Sequence, residues 1–256
     1  FKECISLKEI DIPNSVTVID NCAFYGCSSL EKVTLSNSVK SIGNKCFYEC
    51  SSIKQIVIPQ LVTSIKDCTF YKCQSLKQLL ISSSVQSIES KAFFECSSLD
   101  KISIPSSIKL IPSNSFSGCK NLKEITINPY KTIFGKNAFS TCSITQLVFE
   151  KSVKSITQFE FKEFGKLTKI IIPDTVKTIG EKAFYGLSTL KEIILPDTIT
   201  SIGKNVFDGC SSLIQFVIPS QVTSIENYTF NDCNSLTDIK LHESITSIGN
   251  YAFSKC

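Results

Sequence analysis

The 256-residue sequence contains no methionine, only one histidine and no apolar run near the roughly 18 residues that a transmembrane helix needs. Lys and Arg outnumber Asp and Glu by only 27 to 23, and the charges are scattered without a basic block, which argues against nucleic acid as a partner. Glycine-rich phosphate loops, the H-E-x-x-H zinc motif and any combination of nucleophile, base and orienting group are also missing. We therefore predict no catalytic residues, no cofactor, no metal site and no enzymatic activity.

Phenylalanine recurs along the chain every 23 residues, with one interval of 22. The twelve members of this series are Phe1, Phe24, Phe47, Phe70, Phe93, Phe116, Phe139, Phe161, Phe184, Phe207, Phe230 and Phe253. The short interval follows Phe139, where "CSI" replaces the usual "CSSL" and one residue is missing. A period of this length is typical of repeats that stack because one unit cannot bury its own apolar face.

Each repeat follows the pattern L-x-x-I-x-I-P-x-x-V-x-x-I-x-x-x-A-F-x-x-C-x-x, whose positions are numbered here from 1 to 23. The first repeat reads LKEIDIPNSVTVIDNCAFYGCSS from Leu7. Alternation of apolar and polar residues at positions 3 to 6 predicts a half-buried strand, as at Ile10 and Ile12. Ala, Phe and Cys at positions 17, 18 and 21 are spaced as on one side of a helical turn.

Segments such as "SLKEIDIPNSVTVIDNCAFYGCSSL" and "TLKEIILPDTITSIGKNVFDGCSSL" resemble the BspA-type (treponemal-type) leucine-rich repeat along essentially the whole chain. We predict an α/β leucine-rich-repeat solenoid, one domain over residues 1–256 with about eleven 23-residue coils. A parallel β-sheet is expected on one face and short helical or extended segments on the other. A parallel β-helix is the main alternative fold, and the helix-like A-F-x-x-C spacing argues against it.

The ends of the sequence carry no polar capping repeat, and Phe1 falls inside a repeat. Because solenoids need caps to shield their end coils, we expect the natural protein to continue on both sides.

Ten of the thirteen cysteines occupy position 21 of the repeat. Stacked neighbours there would be close enough for disulfides, so distance alone does not exclude bridges. Phe164 and Leu187 take the same position in the two remaining coils, and this favours a small buried thiol that fills an apolar slot. Disulfides and a metal site stay as alternatives. Cys46 replaces the usual Ala, whereas Cys22 and Cys68 are expected to be partly exposed.

Positions 3 and 5 of the strand are expected to point into solvent. Position 5 carries four consecutive β-branched apolar residues, which we call the apolar strip: Val148, Ile171, Ile194 and Val217. Position 3 of the last three of these coils holds Lys169, Glu192 and Gln215. An exposed apolar strip of this kind predicts a protein-binding surface, although strand propensity alone also favours Val and Ile there.

The segment "NPYKTIFG" at 128–135 departs from the repeat, with Lys131 where Val is usual and Phe134 where Ile is usual. Departures from a repeat are often where function resides, so Tyr130 and Phe134 are a second candidate contact site. Drift in a redundant array is the alternative explanation.

The resemblance to the BspA-type family implies a non-enzymatic surface protein that adheres to host cells or matrix. We therefore expect a cell-surface or secreted domain with a protein partner and no membrane insertion by this segment. A cytoplasmic scaffold that uses the same face is the alternative.

Overall fold

A computed structural model describes residues 1–158 and 164–256, so Phe161 of the phenylalanine series lies outside the described residues. The chain divides into two units, Phe1–Ile144 and Thr145–Cys256. Within each unit every coil contributes a front strand of three or four residues and a second strand of two. The prediction of a single domain, like the count of about eleven coils, stays a prediction.

The first unit contains these front strands: β1 (Glu9–Asp11), β3 (Lys32–Thr34), β5 (Gln55–Val57), β7 (Gln78–Leu80), β9 (Lys101–Ser103) and β11 (Glu124–Ile127). Its second strands are β2 (Val18–Ile19), β4 (Ser41–Ile42), β6 (Ser64–Ile65), β8 (Ser87–Ile88), β10 (Leu110–Ile111) and β12 (Ile133–Phe134).

The second unit contains the front strands β13 (Gln146–Phe149), β15 (Lys169–Ile171), β17 (Glu192–Ile194), β19 (Gln215–Val217) and β21 (Asp238–Lys240). Its second strands are β14 (Ser155–Ile156), β16 (Thr178–Ile179), β18 (Ser201–Ile202), β20 (Ser224–Ile225) and β22 (Ser247–Ile248).

The strands pair in parallel with a register of one repeat, as when Ile10 lies opposite Val33. In β3, β5 and β7 the central residue is buried and its two neighbours are exposed, because successive side chains of a strand point to opposite faces. The predicted parallel sheet of a stacked solenoid is confirmed.

The phenylalanines at position 18 stack on one another inside each unit. From Phe1 to Phe139 neighbouring ring centroids lie between 5.0 and 5.5 Å apart. From Phe184 to Phe253 the spacing is between 5.4 and 5.7 Å. A ring whose two faces are covered by neighbouring coils cannot be buried by one coil alone, so the coils share one core.

The expected helix over the A-F-x-x-C segment is not found: among the described residues this segment consists of consecutive turns. Residues at positions 16 and 20 have left-handed backbone angles, for example Cys22 at φ 58° and Gly26 at φ 70°. Left-handed residues four apart interrupt a right-handed helix before one full turn can be continued. Asn114 and Gly118 take the same two positions in another coil, as expected for residue types that tolerate this conformation.

Backbone N–H groups of the turn segment alternate between two partners. The N–H of Phe24 donates to the carbonyl of Cys46 in the next coil at 2.9 Å, whereas the N–H of Tyr25 donates to Cys22 within its own coil at 3.1 Å. The turns of neighbouring coils are therefore joined by a ladder of hydrogen bonds, which satisfies polar groups that the core would otherwise leave unpaired.

The position-21 thiols donate to the carbonyl oxygens of the phenylalanine stack in the preceding coil. Cys50 Sγ lies 2.9 Å from the carbonyl of Phe24, and Cys96 Sγ lies 3.1 Å from that of Phe70. The structure holds all thirteen cysteines as free thiols. A Phe or Leu fills the same space without a donor, so Cys adds a weak hydrogen bond to an apolar contact.

Burial raises the pKa of the thiols in this core because the charged thiolate would lose its hydration. The pKa of Cys46 and that of Cys233 are each raised to about 12. Cys68 is buried, contrary to the expectation of partial exposure, and its pKa is raised to about 11, chiefly by desolvation. Cys22 is half-buried, as expected.

Within the units the ladders of second strands are interrupted at three places in the described residues, and the interruptions correlate with the residue type at position 14 of the repeat. Where that residue is Gly43, Gly135 or Gly203, its N–H donates to the preceding second strand at 2.8 Å. In the described residues no ladder joins β4 to β6, β8 to β10 or β18 to β20. Position 14 of the coil after these three breaks holds Lys66, Pro112 and Glu226, respectively.

The close approach of neighbouring coils explains why position 14 is glycine where the second strands are paired. A methyl group at Gly43 would overlap the backbone of Asp20 and Asn21 in the preceding coil. Pro112 has no N–H to donate, so the bond cannot form there. Glu89 is an exception, since its N–H donates to Ile65 and its carboxylate accepts the N–H of Asp67 at 3.0 Å. The hydrogen bonds of the turns continue across the breaks, as from Phe93 to Ser115 at 2.9 Å.

Gly43→Ala should destabilise the chain by about 1–3 kcal/mol, because the added methyl group forces two tightly bonded coils apart. Gly165→Ala is the matched control, since no described residue lies within 4 Å of the added carbon, and its effect should stay within about 0.5 kcal/mol. Urea unfolding measures both. Equal losses for the two variants would contradict the close-packing explanation.

Stability should decrease as the pH rises above about 9. The thiols ionise near pH 8.5 in the unfolded chain but stay protonated in the fold until much higher pH, so the unfolded state has released protons that the native state still holds. The contribution is complete below the unfolded pKa and is lost on the way up to about pH 12, the folded value for Cys46. Denaturant titrations at pH 7.5, 9 and 10.5 test this, and a stability that increases over that range would contradict it.

Candidate functional site

The apolar strip lies on the open face of the second unit. The parallel register of β13, β15 and β17 sets Val148 beside Ile171 and Ile171 beside Ile194. Val217 occupies the same outward position in β19, which forms a separate ladder with β21. The repeat therefore places the four side chains at equivalent positions of neighbouring front strands.

Exposure increases along the strip. Val148 and Ile171 are half-buried, while Ile194 is 42% exposed and Val217 is 82% exposed. The lateral register explains the partial burial, because each β-branched side chain covers its neighbour. Ile214, which precedes β19, is a further apolar residue near the strip with 51% exposure. Sequence reasoning missed Ile214 because position 2 usually carries a polar residue.

The polar row beside the strip is close to neutral. Lys169 Nζ lies 3.0 Å from Glu192 Oε2, and Gln215 is exposed. An exposed ion pair of this kind contributes roughly 0–1 kcal/mol, so its main effect is to leave the strip without a strong net charge. The face can thus bury apolar area against a partner without stranding an isolated charge.

The irregular segment around residues 128–135 lies in the first unit. Thr132 is buried in place of the usual valine side chain, and its hydroxyl donates to the carbonyl of Ile108 at 3.0 Å. Lys131 is consequently turned outward. Phe134 keeps the register of the second strand opposite Ile111 and packs edge-on against Phe139 at 5.8 Å.

The two candidate residues of this segment differ in exposure. Tyr130 is 37% exposed, whereas Phe134 is half-buried. The apolar strip belongs to the second unit, whereas Tyr130 and Phe134 belong to the first. Their role in binding stays a prediction.

The front face of the first unit carries two exposed apolar residues at position 5 that sequence reasoning did not select. Val57 and Leu80 are 59% and 65% exposed. Each lines a surface cavity at a break between front strands: a cavity of about 250 Å³ lies between β3 and β5, and one of about 290 Å³ spans β7, β9 and β11. The apolar residues at position 5 of these two coils were the available signal in the sequence.

The described residues include no group of three His, Cys, Asp or Glu side chains that could hold a metal ion. His242 Nε2 lies 3.2 Å from the carbonyl oxygen of Pro219, at the turn after β21. No helix in the described ranges is long and apolar enough to cross a membrane.

Stacked coils, one parallel front strand per repeat and a shared internal row of side chains define a leucine-rich-repeat solenoid. The chain belongs to the BspA type leucine-rich-repeat family, whose model matches residues 1–96, 40–162 and 154–256. Repeat proteins of this fold are typically non-enzymatic. No curated protein matches the chain.

Three solved structures illustrate the likeness. A leucine-rich repeat protein from Bacteroides ovatus is 28% identical with a TM-score of 0.49, and the match covers 100% of this chain and 78% of that one. A leucine-rich cell surface protein from Faecalibacterium prausnitzii is 29% identical with a TM-score of 0.42, covering 98% and 77%. The TLR13–ssRNA13 complex is 14% identical with a TM-score of 0.52, covering 94% and 46%, and shares the fold.

Proposed function

We propose that the chain is a non-enzymatic protein-binding repeat domain that engages a host or matrix protein through the open sheet face of its second unit. The observation that carries the proposal is the lateral row of Val148, Ile171, Ile194 and Val217 on that face. Burying apolar surface is the main driving force of protein association, and contiguous apolar patches often mark contact sites.

The arrangement of the strip favours a protein partner with a flat contact surface. Ile171 and Ile194 are held by strand pairing, so little conformational entropy is lost when a partner covers them. The neighbouring pair of Lys169 and Glu192 supplies a polar rim, and interfaces commonly combine an apolar centre with such a rim.

A cell-surface or secreted location is part of the proposal. Its support is membership of the BspA-type family, which is typically surface-associated. The location is tested together with the partner, because fold alone does not determine function. A cytoplasmic scaffold that uses the same surface is the other outcome of that test.

The double variant Ile171→Ser/Ile194→Ser should weaken binding to an immobilised matrix protein by at least about tenfold, because it removes two apolar side chains from the contact. The measurement is surface plasmon resonance against one panel of purified extracellular-matrix proteins and one of cytosolic proteins, with far-UV circular dichroism and thermal unfolding to confirm that the fold persists.

Val18→Ser is the matched control, since Val18 is a similarly exposed strand residue outside the front face. Its affinity should equal that of the unchanged chain. If the double variant keeps full affinity while it remains folded, the strip is not the site. Binding to cytosolic proteins alone, with no matrix protein retained, would assign the scaffold alternative.

A further inference from the structure

Two exposed apolar side chains lie next to each other on the second strands β10 and β12 of the first unit. Leu110 is 47% exposed and Ile133 is 70% exposed. Both occupy position 12 of their coils and they pair in parallel register, so the two side chains are lateral neighbours. The N–H of Ile133 donates to the carbonyl of Lys109 at 2.8 Å, which holds the two strands together. We call Leu110 and Ile133 the side pair.

Position 12 is a polar position in most of the chain. Apart from Val18, the other coils carry Ser or Thr there, namely Ser41, Ser64, Ser87, Ser155, Thr178, Ser201, Ser224 and Ser247. The fold is therefore compatible with a hydroxyl side chain at this position, and the core does not require Leu110 or Ile133. Neighbouring exposed apolar side chains that the core does not need indicate a contact with something outside the chain.

The irregular segment at 128–135 places further contact residues within three positions of Ile133. Because Thr132 takes the buried place of the usual valine, Lys131 is exposed. Tyr130 comes just before it and is 37% exposed. A tyrosine ring is apolar with one polar end, which suits a boundary between water and an apolar phase.

Three exposed lysines lie close to the side pair along the chain. Lys109 precedes Leu110, and Lys131 and Lys136 lie on either side of Ile133. Consecutive Cα atoms are about 3.8 Å apart, so each lysine Cα lies within about 11 Å of a member of the side pair. None of the three ammonium groups forms an ion pair among the described residues.

Acidic residues are scarce in the two coils that carry the side pair. Residues 101–123 and 125–149 contain no Asp or Glu. The carboxylates that border these stretches belong to Asp100, just before the front strand β9, and to Glu124, in the front strand β11. Each is at least nine residues from the side pair along its coil, whereas the three lysines are at most three residues away.

The acidic groups of the flanking sequence have partners of their own. In the coil before Leu110, the carboxylate of Glu89 accepts the N–H of Asp67 at 3.0 Å, so it is directed toward the preceding coil. Glu150 belongs to the second unit and accepts the hydroxyl of Ser152 at 2.7 Å. The charge next to the side pair is therefore predominantly that of lysine.

We propose that the side pair, together with Lys109, Lys131 and Lys136, binds the surface of a lipid bilayer that contains anionic headgroups. The two apolar side chains reach the headgroup level, and the ammonium groups contact the charged groups of the lipids. The contact is peripheral, and no segment crosses the bilayer. Lysine is depleted in protein interfaces but favoured at membrane surfaces, and charge alone does not explain the exposed side pair.

Vesicle co-sedimentation of the 256-residue chain measures this contact. Vesicles of phosphatidylcholine with about 30% phosphatidylserine are compared with vesicles of phosphatidylcholine alone. Binding to the anionic vesicles should be saturable and at least about tenfold tighter, because each lysine near a charged surface contributes about fivefold. Equal binding to both kinds of vesicle, or binding to neither, would overturn the proposal.

Two variants locate the contact. Leu110→Ser/Ile133→Ser introduces the residue type that other coils carry at position 12, so the fold should persist, and thermal unfolding checks this. Its partition onto anionic vesicles should decrease about tenfold through lost apolar burial, and that of Lys131→Gln about fivefold. If only the lysine variant loses binding, the surface recognises a polyanion, such as a sulfated polysaccharide, and the lipid assignment is wrong.

Val18→Ser is the matched control, since Val18 is 57% exposed at the same repeat position and the acidic Asp20 follows two residues later. Its vesicle binding should be unchanged. A loss equal to that of Leu110→Ser/Ile133→Ser would show that any exposed apolar residue contributes, and would contradict the assignment. The strip variant Ile171→Ser/Ile194→Ser should bind vesicles normally, so failure of the proposed matrix contact leaves this result unaffected.

Discussion

The hydrogen bonds between turn segments of neighbouring coils are the interaction on which the rest of each unit depends. Every second N–H group of the turns has no acceptor in its own coil and donates to a carbonyl of the next coil, as the N–H of Phe47 does to the carbonyl of Thr69 at 2.9 Å. The same contact sets the vertical spacing at which phenylalanine rings stack and thiols reach a carbonyl. A coil taken out of the stack would lose its polar partners and its apolar cover together.

The hydrogen bonds between turn segments hold the coils together at every repeat, so the pairing of the strands can differ from coil to coil. The candidate sites lie on the strand side, where the coils differ. A glycine at position 14, such as Gly43, permits close pairing of the second strands, whereas in the described part of the chain no ladder joins the second strands of the coils that carry Lys66 or Pro112 there to those of the preceding coils. The tightly paired strands β13, β15 and β17 present a continuous apolar row. At the breaks β3/β5 and β7/β9 of the first unit the front face carries cavities instead.

The sequence predicted the strand positions and the phenylalanine stack well. Both follow from the 23-residue period, which assigns each residue to one position of its coil. It predicted the turn segment poorly. The A-F-x-x-C spacing is also the spacing of residues on one side of a helix. The left-handed residues that interrupt a helix there are often Lys or Glu, as at Lys45 and Glu49, and these residue types do not indicate a left-handed backbone. The recurrence of Asn and Gly at these positions, as at Asn114 and Gly118, was the available signal.

The candidate site was predicted in part. The apolar strip could be located from position 5 alone, but the graded exposure from Val148 to Val217 depends on which strands are paired. The thiol bonds, such as that from Cys96 to Phe70, could not be read from sequence because the donor and acceptor are 26 residues apart in different coils.

The most direct test of a shared core is a double-mutant cycle on the phenylalanine stack. For Phe70→Leu combined with Phe93→Leu, whose rings are 5.5 Å apart, we predict a coupling of about 0.5–1.5 kcal/mol in urea unfolding. For Phe70→Leu combined with Phe139→Leu, which are not neighbours in the stack, the losses in unfolding free energy should add within about 0.5 kcal/mol. Additive losses in unfolding free energy for the adjacent pair would contradict a shared core.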